Sequence, residues 1–144
     1  MQYNTTRKEH SFIDPFLGIK DLKKRKIRYV DKKSFVEDSL RVFRAFGFAS
    51  RFDFKITKKT KQFLKTIIKS GELNNLSKER VFEELKKLIL KSKKPSVGLK
   101  LFDEFKIFKI SFLKKYKAID KLSKILQNRD IDLKRVLVLS FVVL

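Results

Sequence analysis

The chain lacks cysteine altogether and carries a single histidine among its 144 residues. No disulfide framework or thiolate metal site is available to it, which fits a reducing, cytoplasmic setting. His10 sits in a polar N-terminal stretch and reads as an incidental surface residue rather than a ligand. That stretch also lacks the apolar core of a signal peptide. Long hydrophobic runs are missing too: the strongest, Val136 to Leu144, has nine residues and includes Ser140. A spanning helix needs about twice that, so no membrane span is expected. There is no internal repeat and no low-complexity linker.

Acidic residues are scarce as well, with 16 Asp and Glu against 37 Lys and Arg, a formal charge of +21. The excess is spread evenly: residues 1–72 hold 19 basic and 8 acidic side chains, and residues 73–144 hold 18 and 8. No detachable basic tail accounts for it. Apolar residues make up 42% and include 15 Phe, so the chain has material for a core that disordered basic tails do not have. Its length suits one modest domain or two small subdomains. A folded and evenly cationic domain points to a polyanionic partner, because each neutralised phosphate releases condensed counterions. The competing reading is a Lys-rich, merely solvated surface.

Periodicity argues for a mainly α fold. Phe12–Phe16 and Ile27–Val30 read as two short strands flanking a turn and a helical stretch over residues 18–26. Beyond Ser34, Val36, Leu40, Phe43 and Phe46 recur at helical steps, with Glu37, Arg41, Arg44 and Arg51 on a neighbouring face. Thr57 or Thr60 caps a second helix with an apolar stripe of Phe63, Leu64, Ile67 and Ile68, which stops at Gly71. Ser77 caps a third, with Glu79 in its first turn and Val81, Leu85, Leu88 and Ile89 turned inward. Pro95 starts a fourth, burying Leu99, Phe102 and Phe105. Ile119, Leu122, Ile125 and Leu126 suggest a fifth. The expected core includes Leu40, Phe43, Phe48, Phe52, Val81, Leu85 and Leu88.

Three ordered blocks carry a family resemblance. Asp14 to Gly18, Asp21 with Leu22, and Ile27 to Val30 resemble the end of the head domain in class II tRNA nucleotidyltransferases, the CCA-adding and poly(A) polymerase family. Residues Phe35 to Phe52 are similar to that family's Glu-Asp-Pro-Leu-Arg, Arg-Ala and Arg-Phe pattern. Ser77 to Leu88 resemble its neck motif of Glu-Arg, Glu-Leu and Lys-Leu. The resemblance implies a helical neck-type domain with a small β remnant of the head. It divides the chain into a head remnant (1–33), a neck that reads nucleotides and binds RNA (34–108) and a divergent helical tail (109–144).

By that resemblance Asp38 and Arg41 read the Watson–Crick edge of the incoming base, Glu37 orients Arg41, and Arg44 belongs to the same nucleotide-binding set. Helical spacing alone also puts Glu37, Asp38 and Arg41 on one face, where they could equally be ordinary surface ion pairs. Glu79, Arg80, Glu84 and Lys87 correspond to the helix that supports the reading helix, and Asp14, Gly18 and Asp21 to the head remnant. The implied partner is tRNA or another structured RNA.

The catalytic part of the family pattern is not found. Two-metal phosphoryl transfer needs convergent carboxylates, which the family draws from a Gly-Ser loop followed by Asp-x-Asp. The chain's one such pair, Asp130 and Asp132, has no preceding glycine loop and reads as a turn or cap. No His-Asp pair of a hydrolase domain is found either. Met1 to Asn4 resemble an internal segment of the head, so the resemblance covers residues 1–108 of 144. Within it Ser39 stands for the usual Pro, and Gly47 for an Arg, at about 1 kcal/mol of helix propensity. The expectation is a truncated, decaying or fragmentary neck that binds RNA, with no cofactor of its own. Mg²⁺ and CTP or ATP are implied for the full-length family. Two alternatives stay open: the non-catalytic half of a split enzyme completed by a separately encoded head, and a generic cationic helical protein for nucleic acid or membrane surfaces.

Overall fold

A computed structural model describes residues 13–108 and 116–127. His10, the Met1–Asn4 stretch, Asp130, Asp132 and the apolar run after Val136 lie outside the described residues. The mainly α expectation holds, with seven α-helices and one small sheet among the described residues. In chain order these are α1 (Gly18–Lys23), β1 (Lys26–Ile27), α2 (Lys32–Glu37), α3 (Arg41–Phe52), β2 (Lys55–Ile56), α4 (Lys58–Lys69), a 3-10 turn (Glu72–Asn75), α5 (Lys78–Lys91), α6 (Pro95–Glu104) and α7 (Tyr116–Gln127).

Helix α3 is the centre of the molecule and packs on α5 and α6. It buries Val42, Phe43, Ala45, Phe46, Ala49 and Ser50, a stripe wide enough to meet two helices at once. Phe43 and Phe46 interlock with Phe102 of α6, their ring centroids 5.5 and 5.2 Å from its own. Phe105 and Phe108 extend the cluster. Offset and edge-on rings of this kind add directional attraction to burial. Gly98 lets the three helices close: a Cβ there would lie 2.4 Å from Ser50 Oγ and 2.5 Å from Leu88 Cδ1.

The local start signals behave as their chemistry dictates. Thr57 and Ser77 accept the amides of Thr60 and Arg80 through their hydroxyls, and Pro95 opens α6. Gly71 ends α4 at φ +81°, where a side chain would be strained. Helix α7 docks on α5 and α6, its Asp120 accepting from Ser96 N at 2.9 Å and Ser96 Oγ at 2.7 Å. Ser123 Oγ donates to the Ile89 carbonyl at 2.8 Å. At the other end, Ile27 packs against the common core, and Tyr29 N donates to Thr60 Oγ1 at 3.2 Å. Contacts thus cross both boundaries drawn at 33 and 108.

Four expectations are corrected. Residues 13–16 form a loop and turn instead of a strand. The strand at Ile27 is only Lys26–Ile27, and its partner is β2, paired in parallel with Lys26 opposite Lys55. The single helix expected from residue 34 onward is broken: Asp38 leaves helical geometry at φ −136°, ψ 90°, and α3 begins at Arg41. Asp38 Oδ1 accepts from Leu40 N at 3.3 Å, a local side-chain bond that competes with the helical ladder. Finally, Phe48 and Phe52 are each 46% exposed, whereas Leu40, Phe43, Leu85 and Leu88 are buried and Val81 is half-buried. The buried stripe of α3 runs through residues 42, 46 and 49; helical rotation carries 48 away from it and leaves 52, the last residue of the helix, on its flank.

Candidate nucleic-acid interface

The break at Asp38 rearranges the expected acidic and basic array. Glu37 ends α2 and Arg41 starts α3, so the two no longer share a helix face, and no hydrogen bond or ion pair joins them. Asp38 turns instead to α5, where Arg80 Nη2 meets its Oδ1 at 3.1 Å. Both bonds of Asp38 fall on Oδ1, leaving Oδ2 as an acceptor beside the turn. Arg41 is exposed and makes no ion pair among the described residues. Ser39 is buried in this turn, and its hydroxyl donates to the Glu72 carbonyl at 3.4 Å.

One turn further along, Arg44 of α3 faces Glu84 of α5 at 3.6 Å, and Lys87 reaches the same carboxylate oxygen at 3.0 Å. Glu84 is well covered, its side chain only 11% exposed. Arg80, Glu84 and Lys87 therefore sit where α5 braces α3, while Glu79 points to solvent in the first turn of α5. The head-remnant residues cluster separately. Asp14 accepts the amides of Gly18 and Ile19 at 2.7 and 2.9 Å, capping α1, and Asp21 binds Arg28 Nε at 2.8 Å. Arg28 also donates to the Phe16 carbonyl, so the four residues clip one loop.

Between α3 and α5 lies a groove of about 390 Å³ lined by Arg44, Gly47, Phe48, Arg51, Glu84, Lys87, Leu88 and Lys91. Four cations face one carboxylate there. Arg51 and Lys91 make no ion pair among the described residues, so their charge is open to a ligand. Sequence reasoning placed Arg51 on this face but did not reach Lys91, because nothing local marks which face of α5 meets α3. No three carboxylates or imidazoles converge among the described residues, so these residues do not fit a pair of catalytic Mg²⁺ ions. No helix among them is long and apolar enough to cross a membrane.

A family model described as the probable RNA and SrmB-binding site of polymerase A matches residues 53–119. The chain is 46% identical over 95 residues to the multifunctional CCA protein of Aliivibrio salmonicida (strain LFI1238), a match covering 64% of this chain and 23% of that protein. The Thermotoga maritima CCA-adding enzyme complexed with tRNA superposes with a TM-score of 0.61 at 38% identity, over 66% of this chain and 23% of the other. This stretch is a neck region of the class II tRNA nucleotidyltransferase family. A tRNA nucleotidyltransferase complexed with a primer tRNA and an incoming ATP analogue is also similar, with a TM-score of 0.62 at 28% identity over 78% of this chain and 32% of the other. The chain spans about a quarter of the length of such relatives. Within the matched fold, α5 meets the turn before α3 at the Arg80–Asp38 pair and α3 itself at the Glu84–Arg44 pair.

Proposed function

We propose that this neck binds tRNA or a closely related structured RNA through its cationic surface, and that it transfers no nucleotide by itself. The observation that carries the reading is a chain charge of +21 together with a fold, over the described residues, shared with enzymes solved in complex with tRNA. Shape-directed contact with an RNA backbone suits Lys and Arg scattered over a rigid helical frame. Asp38 Oδ2 and the unpaired Arg41 supply an acceptor and a donor fork at the start of α3. Cytosine and adenine each present an exocyclic amine and a ring acceptor, which such a pair matches. Arg80 holds the Asp38 carboxylate in place, a positioning role of the kind that the family resemblance gave to Glu37. A complete enzyme of this kind would use Mg²⁺ with CTP or ATP, and the metal carboxylates would come from a head outside these residues.

Titration of labelled tRNA with the purified chain tests the reading. Affinity is expected at micromolar or tighter in low salt, falling with log K slopes of roughly −0.9 per duplex phosphate bound. Arg41→Ala is expected to leave that affinity nearly unchanged, whereas replacing several surface Lys together flattens the slope. A flat salt response in the unaltered chain would remove the RNA reading. The same preparation, incubated with labelled CTP or ATP, tRNA and Mg²⁺, is expected to incorporate nothing; chelator-sensitive incorporation would contradict the non-catalytic part.

A second reading has its own observation. Phe16, Leu17, Ile19 and Leu22 are exposed together around α1, which is an apolar surface of the kind that another domain covers. A nucleotidyltransferase head packed there would cover this apolar surface and could bring the metal-holding carboxylates. Co-purification with such a head, followed by restored nucleotide transfer, is the result that would favour it.

A further inference from the structure

Phe48 and Phe52 are half exposed on the solvent side of α3, one helical turn apart, with their rings stacked at 6.0 Å and 17°. Phe54 continues the series, its ring centroid 5.6 Å from that of Phe52. Water gains nothing from stacked phenyl rings, and the buried stripe of α3 does not need them. Cations stand beside the first ring: Phe48 shares the α3–α5 groove with Arg44, Arg51, Lys87 and Lys91 as well as Leu88. That combination selects among occupants. An apolar protein segment would meet four cations beside the rings, and a duplex would offer phosphates but keep its base faces stacked inside. An unpaired strand presents both phosphate and a free base face.

We propose that the groove and the Phe48–Phe52 pair form a seat for unpaired nucleotides of a single-stranded RNA segment. Phosphates lie against Arg51, Lys87 and Lys91, and a base stacks on the exposed rings, as sequence-tolerant single-strand binders arrange these two elements. Arg44 and Lys87 are already drawn to Glu84, so Arg51 and Lys91 take the larger share of the phosphate charge. Gly47 leaves the wall between Arg44 and Phe48 open, with nothing within 4 Å of the place its Cβ would take. The proposal rests on the RNA-binding reading above and adds which surface takes which kind of RNA.

The experiment titrates the full chain against a short labelled uridine-rich strand and against an RNA duplex of equal length. Joint Phe48→Ala and Phe52→Ala replacement is expected to weaken the single strand by about fivefold or more per stacked base. The duplex titration and the salt slope of the strand stay where they were. Joint Lys91→Ala and Arg51→Ala replacement is expected to lower the single-strand slope by roughly 0.7 for each phosphate no longer neutralised. Phe52→Trp gives a chain with one tryptophan, whose emission the strand quenches and the duplex does not. Equal losses on strand and duplex, no loss on either, or a change in self-association with RNA affinity intact would each overturn the seat. If the unaltered chain binds neither RNA, the RNA-binding reading falls with it; if it binds both and the rings do not matter, the seat alone falls.

Discussion

Two glycines on facing helices have opposite meanings. Gly98 is the point where α6 crosses Ser50 and Leu88, and a methyl group there would sit inside van der Waals contact of both. Leu88 is itself buried, and Ser50 Oγ is held by the Phe46 carbonyl at 3.1 Å, so neither neighbour yields freely. Gly98→Ala is expected to destabilise the fold by about 1–3 kcal/mol. Gly47 lies within α3 with open space at its Cβ, and Gly47→Ala is expected to stabilise by about 1 kcal/mol through helix propensity. Thermal unfolding of the two variants beside the parent chain checks both signs. The sequence showed Gly47 as a departure from an arginine pattern, but it could not show Gly98 as a crossing point. A close approach depends on residues 50 and 88, which lie on two other helices.

At the scale of elements, what could be read from sequence was what local chemistry decides. Thr57, Ser77 and Pro95 start their helices because a hydroxyl reaches an amide a few residues on, or a ring presets φ. The break at Asp38 is not legible in the sequence, because Asp38 turns to Arg80, 42 residues later. Phe48 and Phe52 read as core from residue type alone, whereas the phase of α3 leaves both rings exposed. Strand β2 is two residues long and leaves no period to detect. Helix α2 offers a pH test. Asp31 caps it, accepting Ser34 Oγ at 2.7 Å, Ser34 N at 2.9 Å and Lys33 N at 3.2 Å. The Ser34 hydroxyl bond, with the Ser34 and Lys33 amides, lowers the Asp31 pKa below its ordinary 3.8. Its folded pKa is the lower one, so the contribution to stability is present above the unfolded pKa and is lost as pH falls through the folded value. NMR titration of the Asp31 carboxyl is expected to give a midpoint below 3.8, returning toward it in Ser34→Ala.

For the molecule as a whole, charge and topology act in different ways. Charge is spread over both halves and repels itself, so binding a polyanion should also stabilise the fold; tRNA should raise its melting temperature by mass action, most at low salt. Topology decides the order of assembly. Parallel β1 and β2 meet only after α2 and α3 have been laid between them, and the ladder is closed by Lys55 N to the Arg25 carbonyl and Thr57 N to the Ile27 carbonyl, at 3.0 and 3.1 Å. Two such bonds repay little of the entropy of closing so long a loop, whereas the α3 contacts form on a ready-made helix surface. The clasp is thus expected to be the last part to form and the first to open. In hydrogen exchange, the amides of Lys55 and Thr57 should give up their protons well before those of Phe46 and Ala49, reporting a partial opening that leaves the three-helix centre closed.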